Sequence, residues 1–307
     1  MSVALLFPGQ GSQFVGMGRD LAGAFPQAAD VFREADDLLG FELSRLAWEG
    51  PEDELTLTKN AQPALLAHSV AVLRVIADEL GEVTMAAGHS LGEFSAHVAA
   101  GTISFPDALG AVRLRGELMF AAGVEKPGTM AALLGLGDEA VEAVCRAVGE
   151  KGKVCVPANF NANGQVVISG ELAGVEEALV LAKEAGAKRA MPLTVSGAFH
   201  SPLMAPAQAG LRDRLEEIYF SDPRYPVVSN VTASPVLTGA EARDLLVEQL
   251  TSPVRWTESI QRMASEGVDR FFELGPGSVL CGLNKRNAKG LPCSSLGAPS
   301  DFDALGC

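Results

Sequence analysis

Nowhere in the 307-residue chain is there the stretch of about 18 uncharged apolar residues that a membrane-spanning helix needs. The opening MSVALLFPGQG also lacks a basic residue ahead of its short apolar run, so no secretory leader is expected. These absences lead us to expect a soluble, cytoplasmic protein. Basic residues are scarce: 24 Lys and Arg stand against 38 Asp and Glu, a formal net charge of −14. That charge repels polyphosphate backbones, which argues against a nucleic-acid partner and requires any anionic substrate to be met by local cations. Cysteine is sparse and shows no Cys-x-x-Cys spacing. The odd set Cys145, Cys155, Cys281, Cys293 and Cys307 argues against a disulfide framework or a zinc site, so reduced thiols and no metal are expected.

What the chain does have is apolar content, 48% of its residues, enough for one large domain or two unequal ones. SVALLF, ending at Pro8-Gly9, reads as a buried strand running into a glycine-rich loop, the place where ligands sit in open α/β sheets. AQPALLAHSVAVLRVIADELG reads as a helix with Pro63 in its first turn and Gly81 just past its end, and EVTMAA as a weak strand. From residue 127 the order is strand, helix, two strands joined through Asn163-Gly164, helix and strand: the βαββαβ split motif of ferredoxin-like units. After residue 196 the helices and strands APAQAGLRDRLEEI, YPVVSNVT, EARDLLVEQL and RFFELG return to the first domain. The expectation is an α/β fold: an α/β-hydrolase-like main domain of residues 1–126 and 196–307, with a ferredoxin-like subdomain at 127–195. The tail beyond about residue 290 carries no motif and is assigned nothing.

GHSLG at 88–92 has the Gly-x-Ser-x-Gly form, which sets a serine hydroxyl on a sharp strand-to-helix turn and is shared by lipases, esterases and acyl transferases. A serine hydroxyl needs a base within about 2.6–3.2 Å. Of four histidines, His97 lies roughly 10 Å along the same helix from Ser90, His89 is its neighbour on a tight turn, and His68 sits in an amphipathic helix as a structural residue. His200, in VSGAFHSP, is the remaining base. No acidic residue stands out to orient its ring, a task that a backbone carbonyl or an amide side chain can perform.

Seven motifs coincide in order: FPGQGSQ, GHSLGE, RLRGELM, ANFNANGQVVISG, GAFHSPLM, EQLTSPVRW and ELGPGSVL. Together they resemble the malonyl-CoA:acyl carrier protein transacylase family over essentially the whole chain. The resemblance implies a ping-pong reaction in which Ser90 takes the malonyl group from malonyl-CoA and passes it to the phosphopantetheine thiol of acyl carrier protein, with His200 as the base and no cofactor. It further implies an oxyanion hole from the backbone N–H groups of Gln10 and Leu91. Arg115 would pair with the malonyl carboxylate, although on sequence alone it reads as a solvated helix residue. The Gln249 carbonyl would orient His200, and Phe199 and His89 would line the substrate pocket. Gly197 departs from the residue common in the family.

Carrier proteins are acidic, so docking on a chain of charge −14 requires a local positive patch. Lys285 and Arg286, and Lys188 and Arg189, are the clustered candidates, one pair from each domain and facing each other across the cleft. A monomer is expected. The competing readings are a serine hydrolase, which has no use for an arginine against the acyl group, an inactive carrier-binding module, and a stand-alone acyltransferase serving a polyketide synthase.

Overall fold

The computed structural model describes residues 2–305. Ten strands occur in chain order: β1 (Val3–Phe7), β2 (Val83–Gly88), β3 (Gly128–Leu134), β4 (Cys155–Ala162), β5 (Gln165–Glu171), β6 (Arg189–Pro192), β7 (Val227–Val228), β8 (Pro235–Val236), β9 (Arg270–Leu274) and β10 (Cys293–Leu296). They form a six-stranded sheet of order β10-β9-β1-β2-β7-β8 and a four-stranded sheet of order β4-β5-β3-β6. The first is parallel except for β8, and β1 at its centre is buried along its whole length. That explains why VALLF is continuously apolar rather than alternating.

The second sheet is antiparallel, with the helices Asp138–Gly149 and Leu172–Glu184 connecting its strands in the order βαββαβ. Its hairpin turns through Asn163-Gly164, where Gly164 takes the left-handed φ of 72°. β4 of the second sheet is tied through the main chain to the loop before the helix Trp256–Ser265: Val254 N donates to Ala158 O at 2.8 Å, and Phe160 N donates to Val254 O at 2.9 Å.

The local departures from the sequence expectations have physical causes. The helix containing Pro63 begins at Thr58, so the proline lies inside it and not in its first turn. Pro63 has no N–H for Lys59 O, and the Arg113 guanidinium supplies a donor to that carbonyl at 3.0 Å. Of YPVVSNVT only Val227–Val228 is strand, because the chain turns at Ser229, whose N–H bonds Ser234 O. The unassigned tail contributes β10, the edge strand beside β9. The expectation of reduced cysteines fails at one pair: Cys281 and Cys293 are joined by a disulfide between the helix Val279–Asn287 and β10. Cys145 and Cys155 are buried free thiols, and Cys307 lies outside the described residues. Among the described residues no helix is long and apolar enough to cross a membrane.

Candidate active site

β1 and β2 lie side by side in parallel with Phe7 opposite Gly88, so the Pro8-Gly9-Gln10 loop and the His89-Ser90 turn leave the sheet as neighbours. The outer glycines of the serine turn are required by space. A Cβ on Gly92 would lie 2.1 Å from Phe7 O, and one on Gly88 would lie 1.8 Å from the main-chain carbon of Gly92. Ser90 itself has φ 51°, a left-handed conformation that costs an L residue about 1–3 kcal/mol. Asn230 helps hold it there: its Oδ1 accepts Ser90 N–H at 2.7 Å while its Nδ2 donates to Gly88 O at 2.7 Å.

His200, at φ 56°, meets the serine from the other side, with Nε2 2.8 Å from Ser90 Oγ. Its Nδ1 lies 2.9 Å from the main-chain carbonyl of Gln249. A carbonyl only accepts, so Nδ1 carries the proton and Nε2 receives the serine hydroxyl hydrogen. Burial, reinforced by the nearby Arg115 cation, pulls the His200 pKa down to about 3, which keeps the ring a neutral base at neutral pH.

Arg115 is not solvated: it is 1% exposed in the helix Phe105–Glu125. Its Nη1 donates to Gln62 Oε1 at 2.8 Å, and its Nη2 donates to Gln249 Oε1 at 2.8 Å and to Ser90 Oγ at 3.1 Å. Burial lowers its pKa to about 10, with Glu93 opposing the shift, so it remains charged at neutral pH. Glu93 is fully buried in the first turn of the helix that follows Ser90, and burial raises its carboxyl to about 7 against the hydrogen bond from Gln249.

Ser90, His200, Arg115 and Gln62 open into a cavity of about 370 Å³. Gln10, Leu91, Phe199 and His89 line it, together with Met119 and Met130. The backbone N–H groups of Gln10 and Leu91 donate to no other described residue. Phe199 is buried, and a Cβ on Gly197 would come within 3.2 Å of its ring, so the glycine leaves that ring undisplaced. His89 packs on Trp256 and bonds Asn161 Oδ1 at 2.8 Å through Nε2.

His68 bonds Gly297 O at 2.8 Å outside the site, and His97 is buried away from the cavity, as their places in the sequence led us to expect. The two basic pairs are exposed and do not line the cavity. Arg286 bonds Gln165 Oε1 at the start of β5, and the Lys188 stem covers Gly135, whose N–H bonds Gly164 O beside Gln165. Arg286, Lys188 and Arg189 therefore lie at one end of the second sheet, where β5 begins and β3 ends, whereas Lys285 faces Cys293 and Ser295 of β10. Sequence reasoning missed Gln62, Glu93, Asn161 and Asn230. Glu93, the acid that closes GHSLGE, and Asn161, within ANFNANGQVVISG, lay in motifs; Gln62 and Asn230 did not.

Residues 4–297 match the acyl transferase domain model. The chain is 49% identical to the malonyl CoA-acyl carrier protein transacylase of Bacillus subtilis, covering 98% of this chain and 95% of that one. To the enzyme of the same name from Escherichia coli K12 it is 47% identical, over 98% and 97% of the two chains. A crystal structure of an acyl carrier protein S-malonyltransferase from Vibrio cholerae superposes with a TM-score of 0.96 at 46% identity, covering 99% of this chain and all of that one. A type II polyketide acyl carrier protein in complex with its malonyl-transacylase gives 0.96 at 45% identity, over 99% of both chains. By sequence and fold alike, this chain belongs to the acyl transferase family, beside the malonyl CoA-acyl carrier protein transacylases.

Proposed function

We propose that the protein transfers the malonyl group from malonyl-CoA to the phosphopantetheine thiol of acyl carrier protein, through a malonyl ester of Ser90. In the first half, Ser90 Oγ attacks the thioester carbonyl as its proton passes to His200 Nε2. The carbon–sulfur bond then breaks and the CoA thiolate takes that proton. In the second half His200 deprotonates the carrier thiol, the sulfur attacks the ester carbonyl, and Ser90 Oγ leaves with the proton returned. The oxyanion of each tetrahedral intermediate would sit on the Gln10 and Leu91 N–H groups, at the positive end of the helix Gly92–Ala99. No metal or organic cofactor enters the scheme.

The observation that carries this reading is Arg115, a buried guanidinium 3.1 Å from the nucleophilic oxygen. Its other acceptors, Gln62 and Gln249, are neutral amides, so no carboxylate hydrogen-bonds it directly. A malonyl carboxylate can take that place, whereas a general serine hydrolase has no need of the charge. Phe199, His89 and the methionines would enclose the acyl group and keep water from the ester. For the carrier we propose docking on the exposed cations Lys188, Arg189, Lys285 and Arg286, local positive charge on an acidic protein. Incubation with radiolabelled malonyl-CoA should place one malonyl group on a peptide containing Ser90, and holo carrier protein should then remove it. An adduct on a cysteine peptide, or release as free malonate at the same rate with and without carrier, would overturn the proposal.

A further inference from the structure

A fully buried carboxylate lies one step behind the reacting groups and is not accounted for by the transfer chemistry. Glu93 Oε2 accepts from Gln249 Nε2 at 2.6 Å and from Asn230 N at 3.3 Å. Gln249 stands between this carboxylate and three functional groups. Its Nε2 also donates to Ser90 O at 3.0 Å, its Oε1 accepts from Arg115, and its main-chain carbonyl accepts from His200 Nδ1. Asn230, the second partner, holds Ser90 N–H with its own side chain.

An amide side chain has two chemically opposite ends of nearly equal shape, and only its surroundings decide which way it faces. Turned over, Gln249 would point its NH₂ at the Arg115 guanidinium, setting donor against donor, and its oxygen at Glu93, setting acceptor against acceptor. In the arrangement seen here both ends of the amide are matched, Nε2 to the Glu93 oxygen and Oε1 to the Arg115 guanidinium, so an acceptor oxygen at position 93 selects this orientation. We propose that Glu93 is a positioning residue for malonyl transfer, fixing the Gln249 amide so that Oε1 holds Arg115 toward the acyl site while the same residue's carbonyl holds His200. The charged and titratable groups around it are Arg115 from the helix Phe105–Glu125, His200 from the loop before Pro202, and His97 one turn further along its own helix. Arg115 is the cation of that set, and the Glu93 carboxylate, when ionised, balances its charge.

The inference rests on the assignment of Ser90 and Arg115 made above, and its test separates the two. Both acyl groups need His200, but only malonyl needs Arg115. Loss of Glu93 should therefore reduce malonylation of Ser90 more than acetylation. In Glu93→Ala the malonylation rate should fall roughly ten- to hundredfold, the range for losing a hydrogen bond to a charged group, and the malonyl-to-acetyl ratio should fall about tenfold. Glu93→Gln has the same shape and can still present an oxygen to Gln249 Nε2, so it should recover part of the lost ratio. It also serves as the folded control if the alanine variant shows no cooperative melt. If the folded variants lose both acyl groups by the same factor, or transfer both as wild type does, the positioning role is overturned while the transfer reading stands. If the wild-type protein forms no malonyl-Ser90 ester, the transfer reading itself fails.

Discussion

Replacing Arg115 with alanine should separate what the guanidinium does for the fold from what it does for the substrate. The side chain is 1% exposed, and its removal leaves Gln62 Oε1 and Gln249 Oε1 without the donor each now has. Each orphaned buried oxygen costs about 1–3 kcal/mol, so a stability loss of roughly 2–6 kcal/mol is expected. Glu93 loses its nearby cation as well; its carboxyl, already near 7, moves further up and is neutral at pH 7, which limits the additional penalty. All of this falls equally on every substrate. The malonyl carboxylate, by contrast, would enter a buried site with no partner, at a cost of about 2–5 kcal/mol, or roughly 30- to several-thousand-fold in rate. Acetyl has no such group. Rapid-quench measurement of Ser90 acylation with malonyl-CoA and acetyl-CoA, at a temperature below the melting transition, gives kcat/KM for each. Their ratio cancels any difference in folded fraction. Arg115→Lys should fall between the two proteins, since a single ammonium cannot span both amides and the carboxylate. An unchanged malonyl-to-acetyl ratio in Arg115→Ala would refute the carboxylate assignment, however large the loss of activity.

His200 is held neutral down to about pH 3, so malonylation measured from pH 5 to 8 should show no histidine inflection; one near 6.5 that survives in Glu93→Gln would show the base to be solvated. Stability should nevertheless fall from pH 7 to 5. The unfolded chain binds protons near 6.5 on His68, His97 and His200, while the folded values are about 4, 3 and 3, so each withholds roughly 2 kcal/mol by pH 5. Glu93, raised to about 7, has the opposite sign and offsets about one histidine. The melting temperature of His97→Phe should therefore fall less steeply over that range, and an identical slope would contradict the burial argument. Reversing Lys285 and Arg286 to Glu should slow the second half-reaction through weaker association and leave malonylation by malonyl-CoA unchanged, with added salt narrowing the gap; an unaltered second half-reaction in stopped flow rules these cations out. Gly92→Ala would drive a methyl to 2.1 Å from Phe7 O, so a loss of more than about 3 kcal/mol in denaturant melts is expected, and a wild-type midpoint would be incompatible with this turn.

The parts of the fold that were readable in advance are those whose signal is local. The serine turn, the Asn163-Gly164 hairpin and the alternation of strand and helix through the second sheet each depend on residues adjacent in the chain. The setting of Arg115 was hidden because the helix Phe105–Glu125 is buried on more than one side, and such a helix has no clear apolar stripe to say which way an arginine points. Gln62, Glu93 and Asn230 come from three separate stretches and acquire a role only where the folded chain brings them together. The odd cysteine count concealed a pair, because the partner of Cys281 lies in an edge strand that the motif-free tail did not announce. Arg286 and the Lys188-Arg189 pair lie far apart in the chain, and only the strand order β4-β5-β3-β6 brings them to one end of the second sheet.

The positive φ angles of Ser90 and His200 make this hydrogen-bonded pair a thermodynamic liability. Each residue occupies a conformation that glycine adopts freely and that a side chain resists, so the rest of the domain must be stable enough to hold both in place. A search for more robust versions of this protein that scored stability alone would be drawn to those two positions, and glycine would be a favoured replacement. The most durable descendants of such a search would be well folded and inert. If the pair carries the proposed transfer, turnover is what requires a serine and a histidine there, and the margin of stability available elsewhere limits how far the two can be strained.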